Sequence, residues 1–130
     1  MKKIAFVCVH NSCRSQIAEV LCKIYAGDQF DTYSAGTDPV YEINSSAIRL
    51  MKTYYGIDMT RQKPKTISEL PQIDILVTMG CEITCPTMPV SQKISWRIDD
   101  PNGKSDEEFL AIIHTISDHV RALAETMHYD

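Results

Sequence analysis

The sequence predicts an α/β sandwich built on four parallel strands, and three observations carry that expectation. Apolar, strand-like runs alternate with helical stripes along the 130 residues, the pattern of strand–crossover–strand units that gives a parallel sheet covered by helices. One run, Ile73-Asp74-Ile75-Leu76-Val77-Thr78-Met79, is almost continuously apolar, as in a central strand buried on both faces. No linker, repeat or low-complexity segment breaks the alternation, so residues 1–130 are expected to form a single domain with one core.

The elements follow in order. Lys3-Ile4-Ala5-Phe6-Val7 is a β-type run, and Gln16 to Leu21 reads as helix. Phe30 to Gly36 alternates and ends at glycine, a second strand. Asn44 then caps a helix with the apolar stripe Ala47, Ile48, Leu50, Met51 and Tyr54, and Gly56 sits where a C-terminal cap belongs. Met59 to Lys65 reads as polar loop, and Thr66 to Glu69 fits a capping box for a short helix stopped at Pro71. Beyond the central strand, Lys93 to Ile98 alternates as a last strand, and Ser105 with Glu108 opens a long helix. Phe109, Ile112, Ile113, Ile116, Val120, Leu123 and Met127 hold its core stripe. Right-handed crossovers leave few topologies, and a flavodoxin-like three-layer sandwich fits best; ligands then bind beyond the carboxyl ends of the strands.

Composition narrows the function classes. Hydrophobic residues make up 44% and charged residues 23%, with a formal net charge of −4, which argues against a nucleic-acid surface. No apolar run approaches the ~20 residues of a membrane span, and the Met1-Lys2-Lys3 start has no signal-peptide core, so a cytoplasmic home is expected. Five cysteines in such a chain point to catalysis or metal binding rather than to structural disulfides.

The chemistry concentrates in Cys8-Val9-His10-Asn11-Ser12-Cys13-Arg14-Ser15, between the first strand and the first helix. Free backbone N–H groups and the positive end of a helix dipole converge there, so Val9 to Ser15 form an oxyanion-binding loop. The same field favours thiolate over thiol at Cys8, the candidate nucleophile. Arg14 offers a planar fork matched to two oxygens, and the Ser15 hydroxyl can donate to sulfur. The bland alternative, a structural Cys8 and a solvated Arg14, leaves this polar pattern without a reason. The run V-C-x-x-N-S-C-R-S-Q resembles the signature of the low-molecular-weight tyrosine phosphatase fold. Gln16, in place of the phosphatases' usual proline, points to its arsenate reductase branch.

A second constellation bears on the reaction. Cys81 and Cys85, within Met79 to Pro86, follow the central strand and emerge on the same edge as Cys8. Reduction of a bound oxyanion needs two electrons, which a pair of thiols can give by closing a disulfide; ester hydrolysis needs none. Gly80 and Pro86 bracket the pair with a hinge-capable residue and a break. The competing reading is a zinc half-site completed by Cys8 and Cys13.

Here the chain is similar to thioredoxin-coupled arsenate reductases, which carry a downstream cysteine pair, a proline and a W-x-x-D-D-P segment. Trp96-Arg97-Ile98-Asp99-Asp100-Pro101 matches that segment. The resemblance implies a low-molecular-weight phosphatase fold. It implies Cys8 as nucleophile, Cys81 and Cys85 as second and third cysteines, Arg14 as clamp and Asp100 as general acid. Arsenate, or a phosphate-like oxyanion, is the implied substrate, and thioredoxin or another thiol the implied reductant. The chain departs from the family in the short Cys81–Cys85 spacing and in His10, which replaces a common glycine. Two rivals share the residues: a phosphatase working through a phosphocysteine, and a non-enzymatic thiol module binding zinc or arsenite.

Residues of lesser weight complete the reading. A residue before proline is held extended, which preorganises Asp100, but alternation after Ile98 leaves Asp99 as a competitor. Cys13 supports the loop, Cys22 is core, Trp96 is core or an anchor, and His114, His119 and His128 are expected to be solvated. Some members of the family hold potassium near the loop, and the matching positions are Asn11, Glu19, Ser34 and Lys65. A lysine cannot ligate a cation, which makes potassium doubtful and leaves that ammonium to pair with Glu19 or with solvent.

Overall fold

The fold grows from a strand whose side chains are apolar on both faces. Ile4, Ala5, Phe6 and Val7 are all fully buried, so β1 (Lys2–Cys8) sits inside the sheet. Burying each such large aliphatic or aromatic side chain contributes about 1.5–3 kcal/mol. The computed structural model describes residues 1–80 and 88–127, without the side chain of Met127. β1 leads to α1 (Arg14–Ala26), then come β2 (Phe30–Gly36), α2 (Ser45–Tyr55), a 3₁₀ turn (Ile67–Glu69), β3 (Ile75–Met79), β4 (Gln92–Trp96) and α3 (Asp106–Met127).

The four strands are parallel in the order β2-β1-β3-β4, so the expected sheet forms with β1 and β3 at its centre. Its two faces meet different cover. Ile4 and Phe6 join one cluster with Ile17 and Leu21 of α1, Leu50 and Met51 of α2, and Phe109 and Ile113 of α3. Ala5, Val7 and Leu76 pack on the other face beneath Ile67, Leu70, Met88 and Val90. Register then aligns the carboxyl ends: Cys8 lies opposite Gly36, Val7 opposite Thr78, and Met79 opposite Trp96.

Local signals account for the ends of the elements. The Asn44 side chain accepts from the Ser46 and Ala47 N–H groups, and Gly56 closes α2 in the left-handed region at φ 66°. The Thr66–Glu69 capping box is present, although the helix it opens is a single 3₁₀ turn. Ser105 accepts the Glu108 N–H at the start of α3.

Three expectations need correction. Tyr54 is 60% exposed, and Tyr55 packs against the core in its place, because α2 turns its neighbouring position toward α3. Met59 is not part of a merely polar loop but is fully buried, in the same core cluster as Leu50 and Met51. His119 is half-buried and stacks on Trp96 with ring centroids 5.0 Å apart, so it is not solvated, whereas His114 is exposed as expected and bonds the Tyr55 hydroxyl. Trp96 anchors β4 between Phe6 and His119. The expected role of the Met127 side chain and the position of His128 lie outside the described residues.

Candidate functional site

The end of β1, the start of α1 and two crossing loops build the site. Cys8 closes β1, and the next residues turn back toward α1 through Asn11, the one described non-glycine with positive φ, at 52°. Asparagine tolerates that conformation better than most residues. Gly36, at the end of β2, lets the turn pass close by. A Cβ there would lie 2.7 Å from the Val9 carbonyl oxygen and 3.0 Å from the Asn11 N.

The carbonyls of the loop are tied outward. Cys8 C=O accepts from the Thr37 N–H (3.2 Å), Val9 C=O from Asp38 (2.8 Å), His10 C=O from Val40 (3.2 Å) and Ser12 C=O from Asn44 (2.8 Å). In a trans peptide the N–H points away from the C=O, so the Val9, His10, Asn11 and Cys13 N–H groups turn toward the loop interior. Cys13, the N-cap of α1, makes no side-chain capping bond, and the positive end of the helix faces the loop. The arrangement is a cradle for a tetrahedral anion.

Charged and nucleophilic groups complete the cradle. Cys8 Sγ lies 2.9 Å from Ser15 Oγ, and the residue is 2% exposed. Arg14 is 7% exposed; its Nη1 donates to the Ile98 carbonyl at 3.0 Å, and its Nε is buried without a protein partner. A buried donor left open is costly unless an acceptor arrives, which suits an incoming oxyanion. Gly80 gives the guanidinium its place, for a Cβ there would meet Arg14 Nη1 at 2.2 Å. Cys13 has its thiol pushed up to about 11, chiefly by burial, then by Cys8 and Asp100. It stays protonated at neutral pH, in keeping with a supporting role. Cys22 is buried and accepts from the Thr32 hydroxyl at 3.6 Å.

Outside the loop, a cavity of about 280 Å³ is lined by His10, Ser12, Val40, Glu42, Asn44, Asp100 and Asn102. Asp100, and not Asp99, lines it; its Oδ1 accepts from the Asn102 N–H at 3.0 Å and lies 4.0 Å from Cys13 Sγ. His10 places Nδ1 3.1 Å from the Asp38 carbonyl.

A third layer lies behind the cradle. Glu19 is buried, accepts from Ser34 Oγ at 2.9 Å, and sits 3.5 Å from both the Lys65 and Lys23 ammonium groups, so Lys65 does pair with it. Asn11 Oδ1 accepts from the Lys65 N–H and from Gln16 Nε2, each at 2.8 Å. The structure thus gathers Cys8, the residues from Val9 to Ser15, and Asp100 at one edge of the sheet. Cys81 and Cys85 lie outside the described residues. Sequence reasoning missed Gly36, Gln62 and the backbone of Lys63 and Lys65. Only the glycine that ends β2 left a signal, its position across from Cys8.

Comparison with known proteins gives a consistent result. Residues 3–130 match the family described as low molecular weight phosphotyrosine protein phosphatase. An arsenate reductase of Bacillus cereus is 37% identical over 130 residues, 96% of each chain. Among solved structures, an arsenate reductase in the phosphate binding state superposes with TM-score 0.85 at 27% identity, covering 98% of this chain and 99% of its own. A thioredoxin-dependent arsenate reductase of Corynebacterium glutamicum superposes with TM-score 0.80 at 29% identity, covering 99% of this chain and 63% of its own.

Proposed function

The chain belongs to the low molecular weight phosphotyrosine protein phosphatase family, and from that premise we propose that it reduces arsenate to arsenite with thiols as the electron source. The observation that carries this reading is the Cys8 sulfur held 2.9 Å from Ser15 Oγ in a cradle of inward amides beside a buried, partly unpartnered Arg14. That geometry suits attack by sulfur on a tetrahedral oxyanion, and the arsenate reductase relatives supply the choice of arsenic.

In the proposed reaction Arg14 and the loop amides hold the arsenate oxygens while Cys8 attacks arsenic. Asp100 protonates the departing oxygen from the cavity side, and water leaves. Cys81 then attacks the Cys8 sulfur; the sulfur–arsenic bond breaks with its electron pair remaining on arsenic, which departs as arsenite. Cys85 attacks Cys81, frees Cys8 as thiolate, and leaves a Cys81–Cys85 disulfide. Two thiols are oxidised for one arsenic reduced by two electrons. A thioredoxin-type dithiol in the cytoplasm restores the pair.

The test is to incubate reduced protein with arsenate, trap free thiols and map disulfides by mass spectrometry. A Cys81–Cys85 bond formed only with arsenate supports the relay. Cys81→Ser should then stall as the arsenic adduct, and Cys85→Ser as a Cys8–Cys81 disulfide. If both serine variants release arsenite at the parent rate with thioredoxin present, the relay is wrong. Brisk p-nitrophenyl phosphate hydrolysis without a disulfide would instead favour the phosphatase for which the family is named.

A further inference from the structure

We propose that Gln16 is a positioning residue which, with Gln62 and the backbone of Lys63 and Lys65, fixes the direction of a hydrogen-bond chain ending at the Cys8 sulfur. The reasoning starts from two groups whose polarity cannot change. The Lys63 carbonyl can only accept, and it faces Gln16 Nε2 at 2.8 Å; the Lys65 N–H can only donate, and it faces Asn11 Oδ1 at 2.8 Å. A side-chain amide is otherwise free to present its oxygen or its nitrogen to a neighbour, and only its partners decide. Here both amides are decided by backbone.

Each consequence follows in turn. Gln16 spends its two Nε2 protons on the Lys63 carbonyl and on Asn11 Oδ1, and its Oε1 accepts from Gln62 Nε2 at 2.8 Å. Asn11 Oδ1 then has both acceptor sites filled, by Gln16 and by Lys65, so its Nδ2 must point the other way, to Ser15 Oγ at 2.7 Å. Ser15 Oγ, already accepting from Asn11, directs its own proton to Cys8 Sγ at 2.9 Å. Gln16, Asn11 and Ser15 are all fully buried, so no water replaces a missing partner at low cost. The chain runs one way and makes the sulfur an acceptor, the role that stabilises thiolate. Without the Gln16 donor, Asn11 Oδ1 is held by the Lys65 N–H alone, so the amide keeps its polarity but its grip on Ser15 Oγ loosens, and the Ser15 proton is no longer held on the sulfur.

The proposal rests on Cys8 being the nucleophile, and its test needs no arsenate, so the two can fail separately. The measurement is the pH profile of Cys8 alkylation by iodoacetamide, mapped by mass spectrometry, in Gln16→Met with folding checked by circular dichroism. The titratable and charged neighbours of the sulfur, Arg14 and Cys13 with Asp100 beyond, stay in place. The midpoint is expected to move up by at most about one pH unit, with up to about tenfold slower alkylation near neutrality, the limit being loss of the Ser15 bond to the charged sulfur. In a Ser15→Ala background the same substitution should change the profile less than about twofold in rate, because its route to sulfur is gone. If Gln16→Met does not fold, Gln62→Met, which removes the donor to Gln16 Oε1 and to the Gln16 carbonyl, is read in the same two backgrounds, with a smaller shift in the same direction expected only where Ser15 is present. An unmoved midpoint, or an equal shift with and without Ser15, overturns the proposal. A Cys8→Ser protein that still reduces arsenate would overturn the nucleophile assignment instead.

Discussion

Replacing Gly80 by alanine separates the proposed anion clamp, Arg14, from the general stability of the fold. Gly80 has φ +82°, and a Cβ there would lie 2.2 Å from Arg14 Nη1 and 3.4 Å from the Ile98 carbonyl oxygen that Nη1 bonds. Arg14 is buried, so its guanidinium cannot move aside without breaking that bond and leaving its aim at the anion. Gly103 supplies the control: it has the same φ of +82°, and a Cβ there meets nothing within 4 Å. Both alanines bear the left-handed penalty, about 1–2 kcal/mol for a non-glycine residue. Only Gly80→Ala displaces the clamp. Losing one hydrogen bond to a charged group costs about 1.5–3 kcal/mol, which at about 1.4 kcal/mol per tenfold weakens anion binding by roughly 10- to 100-fold. Inorganic phosphate titrated calorimetrically into reduced protein reads the affinity, and urea unfolding reads the shared strain. Gly103→Ala should lose comparable stability while binding phosphate within about twofold of the parent. If the two alanines bind phosphate alike, Arg14 is not the clamp and the site has been misread.

Further outcomes follow from the same geometry. Cys8→Ser should end arsenate reduction, since a serine hydroxyl is not ionised at neutral pH and no base in the described site activates it; residual turnover in a disulfide-mapping assay would contradict this. Asp100→Asn should lower turnover about 10²- to 10⁴-fold, and Asp99→Asn far less, because only Asp100 lines the cavity; steady-state kinetics showing the reverse order would move the acid to Asp99. Arg14→Lys should lose most phosphate affinity by calorimetry, a point ammonium being unable to reproduce the fork. The Cys13 thiol is raised in the folded state from 9.0 to about 11, mainly by burial. The stability it confers is therefore complete below pH 9 and is lost as pH climbs from about 9 to 11, on the order of 2–3 kcal/mol. Denaturant unfolding across that range should fall less steeply in Cys13→Ala than in the parent.

Where a feature depends on neighbours in sequence, the chain alone decided it. The Asn44 and Gly56 caps of α2 and the continuous apolar run of β3 appear as read, because capping bonds and hydrophobic period are set within a few residues. The spacing of Cys8, Arg14 and Ser15 likewise reaches across one loop and one helical turn, so their meeting was legible. Sequence-distant contacts were settled elsewhere. Alternation past Ile98 could not choose between Asp99 and Asp100; the turn closed by the Asn102 N–H chose, by bringing one carboxylate to the cavity. Tyr54 and Tyr55 are equally plausible as core on a helical wheel, and the approach of α3 selects Tyr55. Nor does anything local announce that Gln16 will meet a carbonyl 47 residues away or Asn11 an amide 54 residues away. Those contacts exist because parallel pairing of β1 with β2, through Cys8 opposite Gly36, and the bond from the Gly36 N–H to the Lys65 carbonyl draw the later segment against the loop. Strand register is a property of the assembled sheet, so the contacts behind the polarity proposed for the Cys8 sulfur become visible only once the chain has folded.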